Sequence, residues 1–316
     1  MNTARHMSSR YHIGYTFLRF IINYSPIFSD MKSRCYPLVL TSTIEVPDMN
    51  AFRHISVVSP DKLWVSDLDT LQQVDGTGHV IRTLDGEYEY WNEDEGDHTV
   101  SVEGDLVFIA RVRNSEQSTA SDRLESQNGI HKMTADGSIT TLLRLDLPNL
   151  SPMCIHSYHI NGDLLIGLIR YQENSRVMRC DKTGRKIGDI ELDEEGQSLY
   201  EYPRYITENK INGDIVVSDR WKEAIVVVDR SGRHRFDYTG HDTDKSFEPC
   251  GVCTDVLGRI LMIHTGYDDD WRDVCCISLL DHDGRFLTRL LTELANLGDF
   301  VPRSLGFEEK NKIYVA

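Results

Sequence analysis

The sequence predicts an all-β propeller of six blades, and three observations carry the prediction: a repeated turn-and-strand unit, Asp and Gly hairpin turns between its copies, and no helical periodicity of comparable length. The first repeated element is a short polar turn leading into an apolar run. It occurs at Asp61-Lys62-Leu63-Trp64-Val65, Gly104-Asp105-Leu106-Val107-Phe108, Gly162-Asp163-Leu164-Leu165-Ile166, Gly213-Asp214-Ile215-Val216-Val217, Gly258-Arg259-Ile260-Leu261-Met262 and Asn311-Lys312-Ile313-Tyr314-Val315. Successive copies are 43, 58, 51, 45 and 53 residues apart.

The second element lies between these copies, as an apolar pair leading into a turn with Gly and a new β-prone run. It reads Val74-Asp75 to Gly78, Met133 to Gly137, Asp181 to Gly184, Asp229 to Gly232 and Asp281 to Gly284. Asp opening a tight turn, with Gly where φ must be positive, is hairpin chemistry. Each unit therefore reads as two consecutive hairpins, seen best in Tyr205–Thr207, Asp214–Ser218, Ala224–Val228 and His234–Tyr238. Four-stranded antiparallel units repeated radially make propeller blades.

On this reading blades fall near 54–84, 98–145, 153–192, 203–239 and 249–291, with a sixth opening at Arg303. Closing the ring hides free sheet edges, and the Thr- and Val-rich run Val39–Val46 is the natural outer strand of the last blade. Because the sequence stops at Ala316, in the second strand of that blade, one strand is unaccounted for. The closing blade is then incomplete unless Tyr15–Ile22 supplies the strand.

Residues 1–37 form an irregular extension, and 38–316 the propeller. The first 34 residues carry Arg5, Arg10, Arg19, Lys32 and Arg34 against Asp30 alone, in a chain of net charge −16. The apolar run Tyr15–Phe28 is too short to span a bilayer and is interrupted by Arg19, which also disfavours a secretory signal. The acidic balance disfavours RNA or DNA, which would require excess cations to displace counterions. Seven cysteines (Cys35, Cys154, Cys180, Cys250, Cys253, Cys275 and Cys276) are odd in number and sparse, so they read as reduced thiols of a cytoplasmic protein.

The segments Tyr202-Pro203-Arg204-Tyr205-Ile206, Asn212 to Asp219, Val226 to Gly232 and Pro302-Arg303-Ser304-Leu305 resemble the NHL-repeat propellers of tripartite-motif proteins, above all their expanded invertebrate set. The resemblance covers about 38–316 and is sharpest beyond residue 200. It implies a partner-recognition domain of the ubiquitin pathway. Ligase activity in that family needs a zinc-binding RING, and neither RING, B-box nor coiled coil is found in this sequence. The pair Cys250-Gly251-Val252-Cys253 has zinc-like spacing but no second pair, so it reads as inner-strand residues, and no metal or cofactor is expected.

Catalytic motifs are missing: the sequence has no Gly-x-Ser-x-Gly, no Gly-x-Gly-x-x-Gly and no Walker loop. His156 and His159, three apart in a β-prone stretch, fall on opposite faces of a strand and read as structural. Asp67, Asp219 and Asp281 fall at strand ends, where turn duty explains them. The expectation is thus a non-catalytic protein-binding domain. A six-bladed calcium-dependent lactonase or esterase, with channel ligands drawn from several blades, is the alternative. An RNA-binding NHL domain is the second.

The second-to-third and blade-to-blade connections share a face that gathers Trp91, Arg111, Arg113, Arg170, Tyr171, Arg220, Trp221, Tyr267 and Trp271. Arg beside Trp or Tyr is the composition of binding hot spots. Of these, Trp91, Arg170, Tyr171, Arg220, Trp221, Tyr267 and Trp271 are the candidate partner-binding residues. Glu87, Glu89, Glu93, Asp94, Glu95, Asp97 and Asp268 to Asp270 make the same face acidic, which suits a basic peptide or protein. The polar insertion from Arg111 to Asn128 reads as a loop.

Overall fold

The structure is a computed structural model, and it describes residues 15–22, 38–49, 52–67, 70–84, 88–89, 98–112, 128–145, 150–170, 174–242, 244–267, 273–291, 302–308 and 312–316. All the regular structure in these residues is β. Strands β1 (Tyr15–Ile22) and β2 (Leu38–Val46) precede five blades. Blade 1 is β3 (His54–Ser59), β4 (Lys62–Ser66), β5 (Leu71–Asp75) and β6 (Val80–Leu84). Blade 2 is β7 (Tyr88–Glu89), β8 (His98–Val100), β9 (Leu106–Val112), β10 (Asn128–Met133) and β11 (Ile139–Arg144), with β7 and β8 both pairing β9. Blade 3 is β12 (Leu150–Ser157), β13 (Leu164–Arg170), β14 (Arg176–Cys180) and β15 (Lys186–Ile190).

Blade 4 is β16 (Pro203–Glu208), β17 (Ile215–Asp219), β18 (Ala224–Val228) and β19 (His234–Tyr238). Blade 5 is β20 (Glu248–Thr254), β21 (Ile260–Tyr267), β22 (Asp273–Leu280) and β23 (Phe286–Leu291). Finally, β24 (Leu305–Glu308) and β25 (Lys312–Val315) join β1 and β2 in a sheet of order β2-β1-β25-β24. Blades made of consecutive strands therefore number five. The expected six blades are corrected to five and a composite closing sheet, because the C-terminal segment supplies only two of that sheet's strands.

That sheet lacks no strand. Antiparallel pairing sets Leu18 opposite Val315 and Ile21 opposite Lys312, while β1 also pairs along β2. Residues 15–22 thus supply the strand that the sequence left unaccounted for. Val39–Val46 lies on the outer edge, as its composition suggested.

Innermost strands β3, β8, β12, β16, β20 and β24 each meet the next in that order, and β24 returns to β3, so they surround a central channel. Apolar side chains fill the space between successive sheets. Trp64, Leu71 and Phe108 pack between blades 1 and 2; Ile130, Ile155 and Ile166 between 2 and 3; Val177, Ile215 and Val226 between 3 and 4. The largest cluster joins blades 4 and 5 to Leu305, Ile313 and Val315, and Ile44, Val46 and Tyr314 join the closing sheet to blade 1.

Burial falls off outward within a blade. Every residue of β17 and β18 is buried, whereas the outer β15 and β19 are mostly exposed and carry Lys186, Asp189, Arg235 and Asp237, charges that discourage edge-to-edge pairing. The turns between third and fourth strands repeat one device. Asp75, Asp181, Asp229 and Asp281 each accept hydrogen bonds through Oδ1 from the backbone N–H groups two and four residues on. Each turn closes on a glycine of positive φ, such as Gly78 at 88° and Gly232 at 91°.

Candidate functional site

Channel residues come from the inner strands, so groups far apart in sequence meet there. Midway along, Tyr205 of β16 donates its hydroxyl to the Arg53 carbonyl at 2.8 Å, reaching the strand on the opposite side of the ring. The His54 ring lies 5.6 Å from that of Tyr205 and 4.6 Å from that of His98. Ser304 bridges His54 Nδ1 at 3.2 Å and the Ile55 N–H at 3.1 Å. Ser56 Oγ donates to the His98 carbonyl at 3.1 Å and sits 2.8 Å from His98 Nδ1, which is therefore the donating nitrogen. Burial pushes the His54 imidazole down to about 3 and holds His98 well below its ordinary value, so both rings are neutral at pH 7.

A second polar group lies at the end of the channel where first and second strands of each blade join. Glu208 closes β16, and its carboxylate is 1% exposed. Its Oε1 accepts the His159 backbone N–H at 2.6 Å and lies 3.4 Å from His156 Nε2; its Oε2 lies 2.9 Å from His159 Nδ1. Burial alone would raise the carboxyl, but the hydrogen bonds from His156 and His159 outweigh it and hold Glu208 below the usual range. Thr254 of β20 donates to the Glu208 carbonyl at 2.7 Å, tying blade 5 to the same point.

This corrects the reading of the two histidines as residues on opposite faces of one strand. Strand β12 ends at Ser157, and His159 belongs to the following turn, which carries it back to the carboxylate that His156 also reaches. His156 and His159 side chains are 20% and 36% exposed, so a buried anion holds two solvent-facing imidazoles. His159 stands with Nδ1 beside the Glu208 carboxylate, which leaves Nε2 on the other edge of the ring. A base oriented by a third group in this way is the arrangement general-base chemistry requires.

The candidate partner-binding residues are placed as follows. Arg170 ends β13, Arg220 and Trp221 follow β17, and Tyr267 ends β21, so all four stand at the far ends of second strands, away from Glu208. Trp221 is 64% exposed and lies on the Tyr202 ring with centroids 4.5 Å apart; Tyr267 is 40% exposed. Trp91, Tyr171 and Trp271 lie outside the described residues, as do Arg113 and all of the acidic cluster except Glu89, which is described only as part of β7.

Asp219 is fully buried and accepts backbone N–H groups of Glu201, Tyr202 and Lys222, and Asp67 accepts that of Thr70, so turn duty does account for them. Cys250 and Cys253 lie on β20, with Cys250 Sγ 3.4 Å from Arg204 Nη1. Among the described residues no group of three His, Cys, Asp or Glu side chains is placed to hold a metal ion. No described helix is long and apolar enough to cross a membrane.

No family model matches the chain, and no curated protein does. Solved structures do. A gluconolactonase from Xanthomonas campestris is 15% identical, with 94% of this chain and 93% of that one covered and a TM-score of 0.55. A proposed glucose dehydrogenase from Thermus thermophilus is 12% identical over 85% and 91%, with a TM-score of 0.56. A protein of unknown function from Bacteroides caccae is 11% identical over 89% and 96%, also at 0.56.

At these identities the likeness establishes the class, an all-β propeller. It also corrects the ground on which the chain was expected not to be an enzyme. Enzymes share this architecture, and a propeller assembles its site from different blades, so missing contiguous motifs are no argument against catalysis.

Proposed function

We propose that the chain is a lactonase-like enzyme that hydrolyses a small cyclic ester at the Glu208 end of the channel. The observation that carries this reading is the buried, ionised Glu208 holding His159 through Nδ1. The likeness to a gluconolactonase across nearly the whole of both chains supports it. His159 Nε2 takes a proton from water as its oxygen adds to the ester carbonyl. The tetrahedral adduct expels the ring oxygen, which receives the proton from the imidazolium, so lactone and water become one hydroxy acid.

Calcium, which the lactonase alternative implied, needs six to eight oxygen ligands. Among the described residues, the polar side chains gathered in this channel are imidazole, guanidinium, phenol and hydroxyl groups around single carboxylates, a donor set that does not fit it. Water activation in this reading falls to the histidine.

The test is hydrolysis of a panel of γ- and δ-lactones, followed as acid release in weakly buffered solution. Turnover should fall about 10²-fold or more in His159→Gln, the range of a general base. Absence of turnover across the panel, or a His159→Gln enzyme as fast as the native one, would remove the proposal.

A further inference from the structure

Polar residues and glycine normally occupy hairpin tips. The inner hairpins of four consecutive blades instead each carry an exposed aliphatic at the channel end. Val102 follows β8, Ile160 follows β12, Ile211 follows β16, and Val256 with Leu257 follows β20. Their exposures are 51, 61, 68, 44 and 49%. An isolated exposed aliphatic needs no explanation, but the same position in four neighbouring blades does.

These tips follow one another in an arc. Val102 lies against Gly162 of the next hairpin, and Ile211 against Gly258 of the hairpin in blade 5. Tyr158 donates its hydroxyl to the Gly213 carbonyl at 2.8 Å, and Asn209 Nδ2 donates to the Gly258 carbonyl at 2.8 Å, so the tips of blades 3, 4 and 5 are bonded in succession, with Val102 of blade 2 joined by contact. The arc also borders the proposed catalytic group directly. Ile160 is the residue after His159, and Ile211 is three residues beyond Glu208 in the adjoining hairpin.

We infer that this arc is the specificity surface of the enzyme and takes the alkyl chain of an alkyl-substituted lactone, so that the substrate is not a polyhydroxylated sugar lactone. The inference rests on the lactonase-like reading for its reacting group, but the surface stands on its own geometry. A net charge of −16 argues against an anionic lipid surface as the occupant. Hydroxyl-rich rings would gain nothing from five aliphatic side chains, whereas an alkyl chain laid across them removes apolar area on both sides.

The experiment measures affinity for non-hydrolysable lactams, pyrrolidin-2-one against 5-hexylpyrrolidin-2-one, alongside turnover of γ-butyrolactone and γ-decalactone. Full burial of a methylene strengthens binding about fourfold, and a chain left half in water gains about twofold per methylene. The hexyl lactam should therefore bind roughly 50-fold tighter. In Ile160→Ser/Ile211→Ser, and separately in Val256→Ser/Leu257→Ser, that ratio should fall several-fold while the melting temperature holds.

Equal affinity of the two lactams overturns the inference even if both lactones are hydrolysed. So does a chain-length preference untouched by both double variants, or substitution that abolishes sedimentation with phosphatidylcholine vesicles and leaves the lactam ratio intact. Chain-dependent, Ile-dependent lactam binding without any lactone turnover keeps the ligand surface and removes only the catalytic reading.

Discussion

Replacing Glu208 by Gln keeps the shape of the side chain and removes its charge, which isolates what the anion does. The carboxylate is 1% exposed, accepts the His159 N–H at 2.6 Å, lies 2.9 Å from His159 Nδ1 and, more weakly, meets His156 Nε2 at 3.4 Å. A hydrogen bond to an ionised group contributes about 1.5–3 kcal/mol against about 0.5–1.5 for a neutral one, so weakening the backbone bond and losing the close ion pair with His159 cost roughly 2 kcal/mol together. For a chain of this size that corresponds to a fall of about 5 °C in melting temperature. The native carboxyl lies below its ordinary value, so the charge stabilises the fold above the unfolded pKa, and that contribution disappears as pH falls through the native one. Thermal unfolding of both proteins at pH 7, 5 and 3 should show a gap at pH 7 that narrows by pH 3. A gap of the same size at every pH, or none at pH 7, refutes the assignment of Glu208 as a buried anion.

Three further outcomes follow from the geometry. His54, His98 and His264 are neutral in the fold, with His54 pushed to about 3 and His264 to about 4, chiefly by burial. Their stabilisation is complete above about pH 6.5 and is lost below it, by up to about 1.4 kcal/mol per pH unit for each, so a melting profile flat from pH 7 to 4.5 would contradict the buried-neutral state. Gly78 and Gly137 share a φ near 88–89°, but a Cβ on Gly78 would lie 2.1 Å from the Glu45 carbonyl, while one on Gly137 meets nothing within 4 Å. Gly137→Ala should cost about 1 kcal/mol and Gly78→Ala clearly more in chemical denaturation; equal losses would mean that β2 does not abut blade 1. Lactone turnover should survive dialysis against a chelator, since the channel's donor set does not fit calcium, and loss restored by added calcium would reverse that conclusion.

Blade boundaries were legible because they depend on local chemistry. Asp229 and Gly232 specify their turn within five residues, and the alternation around them specifies the strands on either side. Ring closure was only half legible: Val39–Val46 advertises itself by composition, but the pairing of Tyr15–Ile22 with Lys312–Val315 is decided by a sheet edge formed some 300 residues later. The candidate site was harder still. Glu208 lies 49 and 52 residues from the two histidines it holds, and Tyr205 lies 152 from the carbonyl it reaches. One clue was available: Asn161-Gly162-Asp163 marks a turn, which puts His159 in a hairpin connection and frees it from the alternation of β12. The aliphatics at Ile160 and Ile211 were equally visible, at turn positions where polar residues are the rule.

The sheet that joins the two ends of the described chain also dictates an order of events during synthesis. Strand β1 is translated early but finds its second neighbour only when β25 leaves the ribosome, a delay of roughly 15–60 s at 5–20 residues per second. Until then blade 1 has no closing sheet beside it, and one edge of the β1–β2 hairpin offers unpaired backbone groups to any other nascent strand. The yield of folded protein should therefore depend on elongation speed and on chaperones that shield that hairpin. Changes within Tyr15–Ile22 would then act first on how many molecules close the ring, before they act on how stable a closed ring is.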